Sequence, residues 1–165
     1  GVTGVQTCAL PIFEGLVLGF LRKESPAGRI EIDHDALARV LGSAPALKAT
    51  FHRAFEELPD PLQGLRDLKQ HPQIDCVLTS GGPEPWAAKA PAFAQWEQVA
   101  RPEIGMLVGG GTDREAMARL LEGTPIRAFH LGRAVREGER LDGPVQAERV
   151  RRFADILNQA GIREA

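Results

Sequence analysis

No stretch of this chain approaches the ~20 consecutive apolar residues of a membrane span, so none is expected. Neither sign of charge is in excess. Twenty Lys and Arg stand against 22 Asp and Glu, a net charge of -2, which gives no electrostatic reason to expect nucleic acid or a membrane as partner. Cysteine is scarce: Cys8 and Cys76 are too few for a disulfide framework, and a reduced, cytoplasmic chain is the expectation. There is no Cys-x-x-Cys or Met-x-x-Met pair, and the glycines do not follow the Gly-x-Gly-x-x-Gly pattern of a dinucleotide fold. What is present, 165 residues with 43% hydrophobic content, suffices for one soluble domain with a real core.

The first residues stand apart. Residues 2–12 look like the conceptual translation of a common short-read sequencing adapter, so residues 1–12 are expected to be non-native and 13–165 to form the domain. A secretory leader is the rival, but there is no basic segment ahead of the apolar stretch, and that stretch is too short. Cys8 is accordingly discounted as a ligand.

From Phe13 onward strand-like and helix-like segments alternate. Strand candidates begin near Gly15, Ala46, Ile74, Ile104 and Arg127, at intervals of about 23 to 31 residues, which suits βα units. Asp33 is placed to cap a helix through Leu41, with Gly42 as its stop. Asp60-Pro61 opens another that runs to about Gln70, and Thr112 with Glu115 makes a capping box for a third through Leu121. A last helix, Val145 to Gln159, aligns Val150, Phe153, Ile156 and Leu157 on one stripe. Between Pro83 and Pro102 two short helices are expected, with Trp86, Phe93 and Trp96 as their apolar face. Strict alternation leaves a doubly wound sheet or a closed barrel. Glycine-rich ends on the last two strands favour the barrel. Eight units and ~250 residues are typical of that fold, so five units make a partial (β/α)8 barrel, with three units expected ahead of Phe13.

Continuous apolar runs suit parallel strands buried on both faces, whose C-terminal ends carry the site. The run Leu47–Phe51 stops on His52-Arg53, and Val77-Leu78 on Thr79-Ser80-Gly81-Gly82. Met106-Leu107-Val108 stops on Gly109-Gly110-Gly111, and Ala128-Phe129 on His130-Leu131-Gly132. Alternation puts Lys48, Thr50 and His52 on one face, with Ala49 and Phe51 towards the helices. His52 is thus a candidate general acid/base or ligand, or else a histidine bonded to a neighbouring strand. Arg53 would bind an anion or pair with Glu56 or Glu57. Thr79 to Gly82, Gly109 to Gly111 and Gly132 offer hydroxyls and N–H groups to an anion, or simply make tight turns. Arg133, Arg136 and Arg140 are expected on a solvated loop.

Thr50-Phe51-His52-Arg53-Ala54-Phe55, Pro59-Asp60-Pro61-Leu62, Leu78 to Gly82 and Gly109 to Gly111 together resemble the CutC copper homeostasis family. Gly15, Gly19, Gly28 with Ile32-Asp33, and Phe129-His130 are similar to the same pattern. The resemblance implies a (β/α)8 barrel in which the five units are the fourth to the eighth. The acidic, arginine and cysteine positions of the family's N-terminal strands have no counterpart here. Leu131 departs from the family's small residue, and the Arg22 to Gly28 loop is longer than usual.

The same resemblance implies cytosolic copper binding, and if histidines serve, His52 and His130 would be the ligands. The residues alone do not indicate copper. Cu(I) prefers thiolate and thioether ligands, yet Cys76 and Met106 lie in apolar strands and Met117 on a helix. His34 and His71 look like helix-start or loop residues. The alternative is an enzyme acting on a small phosphorylated metabolite, with His52 and Arg53 catalytic and the glycine-rich strand ends holding phosphate. An unpaired first strand, in either case, is expected to drive self-association.

Overall fold

The computed structural model describes residues 15–24 and 28–162; the calls on residues 1–12, Cys8 included, lie outside the described residues. Strand β1 (Gly15–Leu18) leads into an antiparallel ribbon of β2 (Leu21–Glu24) and β3 (Arg29–Ile32), with Leu21 opposite Ile32. Helix α1 (His34–Gly42) follows, then β4 (Lys48–Phe51), a 3-10 turn (Arg53–Glu57) and α2 (Pro61–Leu68). Next come β5 (Ile74–Thr79), a 3-10 turn (Trp86–Ala88), α3 (Ala90–Ala100) and β6 (Gly105–Val108). The chain ends with α4 (Arg114–Gly123), β7 (Ala128–Phe129) and α5 (Ala147–Ile162).

The main sheet has the order β1-β4-β5-β6-β7, and every neighbouring pair in it is parallel. The five expected strands are all present, and with their helices they form a partial (β/α)8 barrel. Burial follows strand alternation. Ala49, Phe51, Val77, Met106 and Val108 are 2% exposed or less and pack under the helices. The opposite face, which would line a barrel, is open: Val17 is 70% exposed, and Thr50, Cys76, Leu78 and Leu107 are half-buried. Phe51, Phe55 and Phe93 are fully buried, each worth about 1.5–3 kcal/mol in burial. Trp96 meets Phe55 and Phe93 edge-on, with ring centroids 5.6 and 5.5 Å away.

The starts of α1, α2 and α4 are set by carboxylates. Asp33 accepts from Ala36 N at 2.9 Å, and Asp60 from Gln63 N at 3.0 Å ahead of Pro61. The third cap differs from expectation. Asp113, not Thr112, accepts from Ala116 N at 2.8 Å, because Thr112 is drawn into the interior, where its hydroxyl has no partner among the described residues. Arg22 to Glu24, expected in a loop, lie in the β2–β3 ribbon: Arg22, Lys23 and Glu24 pair with Glu31, Ile30 and Arg29. Helix α5 begins at Ala147, since Val145 is taken by a bridge to Arg136. Phe153, Ile156 and Leu157 form its seam with Met117, Leu121 and Val135, whereas Val150 is 42% exposed and lies off it. Leu131 packs into this second cluster, which accounts for a large residue there.

Candidate functional site

The parallel register brings the C-terminal ends of β4, β5 and β6 side by side. Strand β4 ends at Phe51, and the chain turns at once into the 3-10 turn, so Arg53 and Glu56 stand over the end of β5. Glu56 Oε1 accepts from the Thr79 hydroxyl at 3.1 Å and, in a short contact, from the backbone N–H of Ser80. Arg53 Nη2 donates to Glu56 Oε2 at 2.7 Å, with Nε at 3.2 Å from both oxygens. Burial pushes the Glu56 carboxyl up, but hydrogen bonds from Arg53 and Ser80 outweigh it and hold the group at about 2. Glu56 is therefore a fixed anion at neutral pH and has no proton to give.

The loop after β5 is tied from its other side. Lys89, 6% exposed, donates to Ser80 O at 2.6 Å and Gly82 O at 2.8 Å, with Nζ 4.3 Å from the Trp86 ring centroid. Burial pushes its ammonium down, against the opposing pull of Glu56. Two carbonyls and an aromatic face stabilise the charge where water is excluded. Lys89 and the anchoring role of Glu56 escaped the sequence reading. The only sequence signal was the i,i+3 spacing of Arg53 and Glu56.

These contacts change what the glycine-rich ends offer. The N–H of Ser80 goes to Glu56, that of Gly81 to Thr79 Oγ1 at 3.0 Å, and that of Gly109 to Thr79 O at 2.9 Å. A carboxylate of the chain itself thus stands where an external anion was expected at Thr79 to Gly82. At the end of β6, a Cβ on Gly110 (φ +99°) would lie 2.9 Å from Ser80 Cβ and 3.1 Å from the Arg53 guanidinium carbon. Glycine there lets Arg53 cross from β4 to β6. Arg133 Nη2 comes within 3.5 Å of the equivalent position on Gly111, and no carboxylate pairs with it among the described residues. Around Gly132 there is open space.

The two histidines of the rim are not brought together. His52 lies past the strand end, where its Nδ1 accepts from Ala54 N at 3.1 Å and its ring presses on Gly19 beside β1. That hydrogen bond leaves the proton on Nε2 in the neutral ring. His130 is exposed and lies against Gly109. Strands β5 and β6 separate β4 from β7, so three strand spacings, about 14 Å, lie between the two backbones. Cys76 is half-buried on the open face, and burial pushes its thiol up, which disfavours a thiolate. Met106 and Met117 are core residues at 2% and 0% exposure. Among the described residues no group of three or more His, Cys, Asp or Glu could hold a metal ion. Arg136 donates to Gly143 O, and Arg140 pairs with Asp142 in solvent.

Comparisons with known proteins follow the same outline. A sequence profile of the CutC family matches residues 3–135. A family protein CutC of Pasteurella multocida is 32% identical over 120 residues, 72% of this chain and 46% of that protein. A copper homeostasis protein cutC homolog of Mus musculus is 31% identical over 117 residues, 71% of this chain and 41% of that protein. The crystal structure of a putative copper homeostasis protein CutC from Streptococcus agalactiae superposes with a TM-score of 0.61 at 25% identity, covering 71% of this chain and 55% of that one. The chain thus spans about half the length of the curated relatives it matches.

Proposed function

The chain belongs to the CutC family, and from that premise we propose that it acts in copper homeostasis, as a cytoplasmic copper-handling protein. The observation that carries the reading is the Thr50–Phe55 run. The family match spans it, and Arg53 within it, paired with Glu56 just past its end, locks two neighbouring strand ends. Copper is cargo in this reading. Among the described residues soft donors do not converge on it, since Cys76, Met106 and Met117 are dispersed between the open face and the core. Imidazoles are then the ligands to consider. Phosphate chemistry at the rim is less favoured, because Glu56 already takes the donors at the end of β5. No helix among the described residues is long and apolar enough to cross a membrane.

The test is cellular. Deleting the parent gene in its host should raise copper sensitivity and alter cell copper measured by mass spectrometry. The intact gene should restore both, and an allele lacking the Arg53–Glu56 pair should not. Unchanged copper tolerance and copper content in the deletion strain would refute the proposal.

A further inference from the structure

Away from the rim, the fold joins two histidines that are 37 residues apart in sequence. His34 is the first residue of α1, and His71 lies in the turn after α2. His34 Nδ1 is 2.8 Å from His71 Nε2. Their ring planes differ by 18° and the centroids are 5.1 Å apart. The nitrogen–nitrogen distance plus the two ring half-widths accounts for that separation, so the imidazoles meet edge to edge, nearly coplanar. In such a pair one nitrogen donates and the other accepts, and a single proton lies between two lone pairs on a common line.

A metal ion can take the place of that proton when the donor ring moves it, through solvent, to its other nitrogen, so that both imidazoles stay neutral and each turns a lone pair to the ion. We propose that His34 and His71 form a two-imidazole site for a soft monovalent cation, Cu(I) being the natural occupant in a copper-handling protein. The identity of the ion rests on the copper reading above; the site itself does not. Two metal–imidazole bonds of ~2 Å in line need about 4 Å between the nitrogens, so the rings must part by only about 1 Å. Divalent ions are poorly served. Zn(II) wants four ligands, and no third histidine, cysteine or carboxylate joins the pair among the described residues. Of the neighbouring carboxylates, Asp33 is spent on the Ala36 N–H and Asp35 lies 3.8 Å from Arg22. A two-coordinate d10 ion needs no more than the pair supplies.

The experiment uses the whole chain with Cu(I), in competition with a colorimetric Cu(I) chelator under anaerobic conditions, and Ag(I) as a redox-silent substitute. His34→Gln and His71→Gln should each weaken binding by about tenfold or more, and the double variant should be no weaker than either single one. The pair His52→Gln and His130→Gln should leave affinity within about twofold. A measurement on the unaltered chain guards against variants that misfold: substoichiometric Ag(I) should move the imidazole resonances of His34 and His71 before those of His52 and His130. Full affinity in the His34 and His71 variants, first movement of the other two rings, or no Cu(I) binding by the unaltered chain would each overturn the site. Any of these would leave the copper-tolerance test of the family reading standing by itself.

Discussion

Replacing Glu56 by glutamine asks whether the strand-end rim is held by a charge. The carboxyl lies at about 2 against an ordinary 4.5, and each pH unit is worth about 1.36 kcal/mol. The ionised form is therefore favoured by at most ~3.4 kcal/mol. Glu56 is 16% exposed but its partner Arg53 is 51% exposed, so screening should leave roughly 1–2 kcal/mol as folding stability. The sign follows from the lowered value. The contribution is complete above the unfolded carboxyl's range, near pH 5, and drains away as pH falls towards 2. Glutamine keeps an oxygen for the Ser80 N–H but gives up the charge and, with an NH2 in place of Oε2, the acceptor for Arg53 Nη2. Urea unfolding followed by tryptophan fluorescence suits the question, because Trp96 packs on Phe55 inside the same 3-10 turn. Glu56→Gln should be about 1–2 kcal/mol less stable at pH 7, with the gap closing towards zero at pH 2. Equal stability at pH 7, or a gap that persists undiminished at pH 2, would refute the reasoning.

Two further outcomes follow from the same geometry. Gly110→Ala places a Cβ at φ +99° and 2.9 Å from Ser80 Cβ, so it should cost about 1–3 kcal/mol and displace Arg53, whereas Gly132→Ala, in open space, should stay within about 0.5 kcal/mol; thermal melts of the two side by side decide it. No strand among the described residues pairs with the outer edge of β1, and Val17 on it is 70% exposed, so the chain expressed alone should self-associate and Val17→Lys should raise the monomer fraction on size exclusion, a sharp monomeric peak for the unaltered chain being the contrary result.

The strands were legible because they are buried. Phe51, Val77 and Val108 lie in runs that no amphipathic helix would tolerate, and each run stops on residues that end a strand. Helix starts were legible at Asp33 and Asp60, where a carboxylate precedes the helix. Thr112 misled because a capping box is a local pattern, and here a neighbouring carboxylate took the cap while the interior took the threonine. The β2–β3 ribbon was missed because its four-residue strands are largely charged and show no apolar run. Placing His52, Arg53 and the glycines at strand ends needed only the order of elements. Contacts such as Glu56 to Ser80, Lys89 to Gly82 or His34 to His71 depend on how far one loop leans over another, and no spacing rule carries that information.

A glycine-rich strand end has two physical uses, and this chain shows both on neighbouring strands. At β5 the N–H groups of Ser80 and Gly81 are consumed internally, and Lys89 and Glu56 hold the loop between opposite charges. That end is a brace: Gly81 makes room for Phe93 and the Lys89 stem, both close to any Cβ there. At β6 the glycines make room for arginines instead, Arg53 over Gly110 and Arg133 beside Gly111, the second without a counter-charge among the described residues. Of these two ends, the β6 end has the cation that faces solvent, since Arg133 is exposed and Lys89 is buried. Sequence patterns alone cannot separate the two cases, since both read as glycine pairs after an apolar strand. The carboxylate three residues beyond the arginine that follows the preceding strand is what distinguishes them, because it supplies the internal anion that closes the first end and, by holding Arg53 across the gap, sets the floor of the second.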